Sequence, residues 1–441
     1  MIKEQLFKHR ITPPAQSKPL TYRTAMPRHN PLTTLVTHLE SPIDGSTYPA
    51  GLVHGVHLGR PLLVRYDLEK AKRQLDRDLF TSRTEGVWRW RELLPLPWDE
   101  TPVTLGEQPT PLLDCPRLGS ALGLNHLQVK DESLLPTGSF KARGMTVAVS
   151  MAKWLGLRRL ATPTAGNAGG ALAAYTARAG MESWVFMPED TPTINQRECL
   201  LFGARTYAVN GLIHDCGKLV RDLADVMGWF DMSTLREPYR LEGKKTMGLE
   251  LAMQGKWKLP DVILYPTGGG TGLVGMWKAF AELKTLGWLE NTILPRFYAC
   301  QSDGCAPIVT AFECGNRHAE TFHPAATQAS GLRVPAAVGD FLILDAIRQS
   351  GGKALCGSEK RLLDWMEKAC ALEGISFCPE AAICLDVLDK LQASGEVLPE
   401  ERVLVWNTGA AQKYLECLSN QLPFIDLNKP VMPQLPTPTH F

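Results

Sequence analysis

An α/β fold built on parallel sheets is what this chain of 441 residues predicts. Three observations lead there. Between about residues 105 and 420, short apolar segments recur, each running into a glycine-bearing turn and then an amphipathic helical stretch. These segments lack the alternation of a half-exposed strand, so they are expected to be buried on both faces beneath helices. The length, finally, suffices for two or three domains and a substantial core.

In chain order, residues 1–32 are rich in proline and polar side chains, and the end from about 427 reads NKPVMPQLPTPTHF. Both are read as tails. Residues 33–104 form an extension with an amphipathic helix near YDLEKAKRQLDRDLF. RRLATP then leads into the turn TAGNAGG and the helix ALAAYTARAG. VILYP leads into TGGGTG and LVGMWKAFAELKTLG, and VLVWN into TGAA and QKYLECLSNQ. Ligands of such sheets sit beyond the carboxyl ends of the strands, where these turns fall.

Composition narrows the function classes. Lys and Arg number 47 against 46 Asp and Glu, a formal balance of +1. That gives no electrostatic reason to expect nucleic acid or an anionic membrane as partner. No apolar run approaches the roughly 20 residues that cross a bilayer, and the first residues lack the apolar centre of a secretory signal. The eleven cysteines are scattered without a CxxC pair, which fits a reducing cytoplasm.

Four turns carry candidate chemistry. In KDESLLPTGSFKARG, Pro136, Thr137 and Gly138 make a turn and Ser139 is placed to cap the following helix. Lys141 then falls in the first helical turn, where a lysine can condense with a carbonyl. In TAGNAGG, small residues let backbone N–H groups approach an anion at a helix start, and Asn167 offers an amide for a phenolic oxygen or a carboxylate. In PTGGGTGL, Gly268, Gly269, Gly270, Thr271 and Gly272 precede a helix and suit a phosphate monoester. That run lacks the ending of a nucleoside-triphosphate loop and the GxGxxG spacing of a dinucleotide site, which argues against a nicotinamide-binding oxidoreductase. In NTGAA, Thr408 offers a neutral hydroxyl to a ring nitrogen or caps a helix.

Together, PTGSFKARG, TAGNAGGALAAYTARAG, PTGGGTGL and EPYRLEGKKTMGLE resemble the fold-type-II pyridoxal-phosphate enzymes, and most closely the threonine synthase family, over about 105–410. The resemblance implies a tryptophan synthase β-like fold of two parallel-sheet domains. Residues 105–141 and 246–426 would bind pyridoxal 5'-phosphate, and 142–245 would form a smaller mobile domain that excludes water on closing. It implies Lys141 as the Schiff-base lysine and proton carrier, and Asn167 against the cofactor's 3'-oxygen. Gly268–Gly270 with Thr271 and Gly272 would hold its phosphate, and Thr408 its pyridine nitrogen. Thr164, Ala165, Gly166, Asn167 and Ala168 would line the substrate side. A homodimer is implied as well.

Departures from the family pattern bear on the substrate. Ala168 stands where a hydroxyl residue often follows the loop asparagine, and TGAA replaces a TGHG ending. Arg240, with Lys244 or Lys245 as helpers, is then the expected contact for a substrate phosphate. In the extension, SPID and HGVH stand where some relatives carry zinc-binding CxxC pairs. Asp44, His54 and His57 are weak metal candidates without thiolate, and no metal is expected. The leading expectation is conversion of O-phosphohomoserine and water to threonine and phosphate. The alternatives are a threonine- or serine-type ammonia-lyase, or another enzyme of β-elimination or β-replacement, and a non-catalytic ligand-binding relative.

Overall fold

The computed structural model describes residues 34–291, 293–418, 422 and 424–428. The tails expected over 1–32 and from 427 lie outside the described residues, apart from Leu427 and Asn428. The larger sheet has six strands in the order Ala354–Gly357, Arg296–Ser302, Val262–Pro266, Arg402–Asn407, His126–Asp131, Leu112–Asp114. All neighbours pair in parallel except the last two, so the sheet closes on one antiparallel edge strand. The smaller sheet is fully parallel, in the order Arg205–Val209, Glu182–Pro188, Arg159–Pro163, Phe230–Asp231.

Residue placement in Val262–Pro266 shows why alternation is missing from the sequence. All five residues are buried. Ile263 and Tyr265 enter one core with Met247, Met276 and Phe280, while Val262 and Leu264 enter another with Trp365, Ile383 and Val387. One strand therefore feeds two apolar layers, and a polar residue on either face would be desolvated. The smaller sheet repeats the scheme with Ala161, Trp184 and Phe186 on one face and Val185 and Met187 on the other.

The extension carries a three-stranded antiparallel sheet of Thr47–Tyr48, Val36–Glu40 and Leu63–Tyr66, and a ribbon of Val56–His57 with Arg60–Pro61. Its expected helix is split into Leu68–Gln74 and Arg77–Thr81. Leu75 is extended, and Asp76 begins a new helix by accepting from the Asp78 N–H at 3.0 Å. His57 bonds Asp44 at 2.9 Å through Nε2 and Tyr48 at 2.5 Å through Nδ1. The His54 ring stacks at a tilt on Tyr48, and among the described residues no three side chains of ligand type gather around a metal position.

A second departure follows the strand Arg402–Asn407. The stretch expected as an α-helix is two short 3-10 turns, Ala411–Lys413 and Leu415–Cys417. Gly409 is drawn into a bridge with Ser139, the Ala410 N–H donates to the Gly138 carbonyl, and the Ala411 N–H donates to Ser376 Oγ. Those tertiary partners hold the backbone open where local pattern alone suggested a helix. Among the described residues no helix is long and apolar enough to cross a membrane.

Candidate active site

Lys141 opens the helix Lys141–Trp154. Ser139 does not cap that helix as expected. It is extended, pairs with Gly409, and leaves its buried Oγ without a partner among the described residues, while the Phe140 N–H donates to the Thr408 carbonyl at 3.0 Å. The lysine turn is thereby tied to the turn beyond Asn407, although the two lie far apart in the chain.

Turns at the carboxyl ends of both sheets meet around a cavity of about 230 Å³. Lys141, Thr164, Ala165, Gly166, Asn167, Ala168, Gly268, Gly269, Gly270, Thr271 and Thr408 all line it. Gly272 does not; a methyl added there would collide with the Tyr265 hydroxyl, so its smallness serves helix packing. Gly270 has φ +73° and caps the helix Thr271–Leu286, so the turn needs a residue that tolerates the left-handed region. Methyl groups at Gly268 or Gly270 would strike the Gly331 carbonyl or Ile343. The turn is thus a close-fitting backbone cradle at a helix start, where N–H groups lack intrahelical partners.

Electrostatics single out Lys141. Burial, and then the positive charge of Arg240, lower its amine to about 7, with Glu380 opposing. A free amine near neutral pH is the form that attacks a carbonyl. Lys244 lies beside it, its Nζ 3.9 Å from the centre of the Phe140 ring and donating to the Phe140 carbonyl. Burial, and then Lys141, hold the Lys244 amine well below its ordinary value.

Arg240, Lys244 and Lys245, expected near a substrate phosphate, do not line the cavity. Arg240 is only 3% exposed and does not line the cavity. Its Nη1 donates to the Met232 carbonyl at 2.7 Å, and its Nε lies 4.0 Å from Glu237. Lys244 is spent on the Phe140 carbonyl, and Lys245 sits between Glu242 and Glu282 at 2.8 and 2.9 Å. His214, Arg221 and Arg236 line the cavity from the smaller-sheet side, Arg236 with its Nε on Asp231 at 3.0 Å. Replacing Arg240 with methionine removes a charge that depresses Lys141. The pH dependence of cofactor capture is therefore expected to move to more alkaline values, as read from absorbance stopped-flow traces.

Glu380 and Tyr414 also line the cavity without having been singled out in the sequence. Tyr414 Oη accepts from Asn167 Nδ2 at 2.9 Å and donates to Glu380 Oε1 at 2.9 Å. Glu380 lies in the first turn of the helix Pro379–Ala393, a position where acids commonly complement a helix dipole. Nothing local distinguishes it from such a residue. Cys378 Sγ lies 3.5 Å from Thr408 Oγ1 behind the same wall.

A family model described as pyridoxal-phosphate dependent enzyme matches residues 103–409. The threonine synthase of Methanocaldococcus jannaschii is 33% identical over 371 residues, covering 84% of this chain and 91% of that protein. The chain belongs to the threonine synthase family of pyridoxal-phosphate-dependent enzymes. Another relative, the threonine synthase of Methanosarcina acetivorans, is 35% identical over 347 residues, 78% of this chain and 84% of its own. Among solved structures, diaminopropionate ammonia lyase from Escherichia coli superposes with a TM-score of 0.61 at 20% identity, covering 71% of this chain and 88% of that one. Maize serine racemase gives 0.59 at 18% identity, covering 69% and 88%. At these identities the two structures attest to the fold.

The residues present fit the cofactor of this family. A phosphorylated pyridine aldehyde needs an anion cradle, a free amine, and polar groups at the ring edge. The Gly268–Gly270 turn supplies the first and Lys141 the second. Asn167 Oδ1, Glu380 Oε2 and Ser330 Oγ are buried, without partners among the described residues, on side chains that line the cavity. Leaving them unsatisfied costs about 1–3 kcal/mol each, so a polar ligand is the natural complement.

Proposed function

We propose that this protein is a threonine-synthase-type lyase converting O-phosphohomoserine and water to threonine and phosphate. The observation that carries the reading is Arg221, a cavity-lining guanidinium without an ion-pair partner among the described residues. Arg236 and His214 line the cavity beside it but already meet Asp231 and Asp215, at 3.0 and 3.5 Å, and Glu380 is the only acidic side chain of the lining among the described residues. A substrate bearing both a carboxylate and a phosphate would give that guanidinium its anion, whereas serine or threonine carries no second anionic group to meet it.

Pyridoxal phosphate, when bound, supplies an electron sink for the carbanion formed next to the substrate's carboxylate. The Gly268–Gly270 turn and Thr271 would bind its phosphate, Thr408 its ring nitrogen and Asn167 its ring oxygen. Thr164, Gly166 and Asn167 gather at the start of the helix Asn167–Ala179, and this end suits the substrate carboxylate. Lys141 Nζ would take protons from Cα and then Cβ. The Cγ–O bond breaks with its electron pair leaving on phosphate, a proton is delivered to Cγ, water adds at Cβ, and Cα is reprotonated. Arg221, with His214 and Arg236 beside it, would hold the phosphate before it departs.

Withdrawal of Arg240 from the cavity removes one anion contact, and this favours the alternative of serine- or threonine-type ammonia release. Purified protein given each substrate separates the two. Phosphate release from O-phosphohomoserine is expected. Release of a 2-oxo acid from threonine, with no phosphate from O-phosphohomoserine, would reverse the assignment. Arg221→Ala is expected to raise KM for O-phosphohomoserine by about tenfold or more, the scale of one charge-assisted contact, as steady-state kinetics would register.

A further inference from the structure

We propose that Lys244 is the positioning residue of Lys141, holding the peptide from which Lys141 springs so that its amine meets the cofactor's aldehyde. The inference rests on the reading above, in which Lys141 is the amine that captures the cofactor.

The start of the helix Lys141–Trp154 has little local support. Phe140 stands at its N-cap without a capping side chain. Its two peptide groups are held from other parts of the fold instead. The Phe140 N–H donates to the Thr408 carbonyl at 3.0 Å, and the Phe140 carbonyl accepts from Lys244 Nζ. Lys141 is thus anchored through the residue before it, from the Thr408 turn and from the helix Tyr239–Gln254. Both amines sit against the Phe140 ring, Lys141 Nζ 4.4 Å and Lys244 Nζ 3.9 Å from its centre. Tyr265, which lines the cavity, meets that ring edge-on at 6.3 Å.

The fold makes room for Lys244 through two glycines on neighbouring helices. A methyl added at Gly275 would lie 2.7 Å from Lys244 Cβ, and one at Gly144 would lie 3.2 Å from its Cε. Gly144 is one turn beyond Lys141, so the helix that carries the reactive amine is shaped around its neighbour. Lys244 is 1% exposed. Lys245 and Lys278 each meet Glu242 and Glu282, but Lys244 has no carboxylate partner among the described residues. Burying an amine without a counter-ion is costly, so stability of the fold does not account for it.

Lys244 acts by place and not by charge. Burial, and then Lys141, hold its amine well below the ordinary lysine range; Arg240 and Arg143 push the same way, and Glu132 opposes them. A neutral amine keeps N–H groups to donate to the Phe140 carbonyl and sets no second charge beside Lys141. The amine of Lys141 is lowered by burial and then by Arg240.

The experiment titrates cofactor-free protein with pyridoxal 5'-phosphate and with 4'-deoxypyridoxine 5'-phosphate. The second compound fills the same cradle but carries a methyl group in place of the aldehyde. Lys244→Met keeps an unbranched stem and removes the donor. Its dissociation constant for pyridoxal 5'-phosphate is expected to rise about fivefold, the effect of one hydrogen bond. The constant for the deoxy compound is expected to stay the same. Lys244→Gln keeps an uncharged N–H donor and is expected to recover most of the loss. The pH midpoint of capture should remain at about 7 in Lys244→Met, unlike the alkaline movement expected of Arg240→Met. Lys244→Met should also melt no lower than the natural protein at pH 7. A lysine whose folded pKa is lowered destabilises the fold below its unfolded value, and the Phe140 carbonyl keeps the Arg143 N–H at 3.2 Å.

Equal rises for both compounds overturn the proposal by assigning Lys244 to the cradle, and no rise for either overturns it outright. A Lys244→Gln constant equal to that of Lys244→Met does so too, as does a midpoint displaced as in Arg240→Met. A lower melting point, or failure of Lys244→Met to fold, makes Lys244 a structural support and overturns it as well. Natural protein that binds the two compounds alike would defeat the reading of Lys141 and this inference with it. Natural protein that prefers the aldehyde, with Lys244→Met preferring it equally, defeats only the inference.

Discussion

Lys141→Ala is expected to abolish the visible absorbance of the bound cofactor and to lower turnover by about 10⁴-fold or more, the loss seen when a covalent and proton-carrying group is removed. Non-covalent cofactor binding should persist, because the Gly268–Gly270 cradle does not depend on the amine. A variant that kept its absorbance and turnover would remove Lys141 from the chemistry. The natural residue adds a pH signature. Its amine is lowered to about 7, first by burial and then by Arg240. Capture of added cofactor by the cofactor-free protein should therefore accelerate as pH rises through about 7 and level off above it, while an ordinary lysine would keep gaining toward about 10.4. The same shift has a cost in stability. A lysine whose folded pKa is lowered destabilises the fold at pH below that value, where it is charged in both states. The cost fades as pH rises toward the unfolded value. Lys141→Met, which keeps the stem's packing, should therefore melt higher than the natural cofactor-free protein at pH 6 and converge with it in alkali.

The sequence made legible whatever is local. The strands Arg159–Pro163, Val262–Pro266 and Arg402–Asn407 and the glycine turns after them were readable because each signal lies within a dozen residues. Lys141, Asn167, the Gly268–Gly270 turn and Thr408 converge as the parallel-sheet rule requires, since all follow carboxyl ends of strands or helix starts beside them. What escaped is whatever depends on direction and on distant partners. Arg240 sits in a matching motif, yet its guanidinium turns to the Met232 carbonyl and acts on Lys141 only through its field. Lys245, one residue from Lys244 and so about 100° around the helix, enters a carboxylate pair instead. Glu380 reaches the cavity from a helix with no glycine turn to announce it, and Tyr414 from the stretch after TGAA that local pattern read as an α-helix. The Asp67 and Asp76 caps that divide the expected helix of the extension were visible, but only as ordinary members of a charged face.

Glu250→Gln is expected to cost about 3–5 kcal/mol of stability, the penalty for breaking a buried ion pair from one side. Glu250 lies on the helix Tyr239–Gln254, fully buried. It accepts from Lys130 Nζ at 2.5 Å, Arg143 Nη2 at 2.9 Å and the Thr110 N–H at 2.9 Å, while Glu132 takes Arg143 Nε at 2.6 Å. Two cations and two carboxylates balance in this cluster; after the substitution, one positive charge is left buried and uncompensated. The elements it joins matter to the site. Lys130 belongs to the strand His126–Asp131, Arg143 lies two residues beyond Lys141, and the helix of Glu250 also carries Arg240. Loosening the cluster should thus weaken cofactor retention along with the fold. Burial pushes the Glu250 carboxyl up, but Arg143 and Lys130 outweigh it and hold it well below the ordinary range. A carboxylate depressed in this way contributes its full stabilisation above the unfolded value of about 4.3 and loses it progressively as pH falls below that. Thermal unfolding of natural and Glu250→Gln protein should show a wide gap at pH 7 that narrows in acid. The exposed pair Lys218–Asp222, at 2.9 Å along one helix, supplies the contrast. Lys218→Ala should change stability by no more than about 0.5 kcal/mol, since water and salt already screen that pair. Equal effects from the two substitutions would show that the buried network does not bind these elements together.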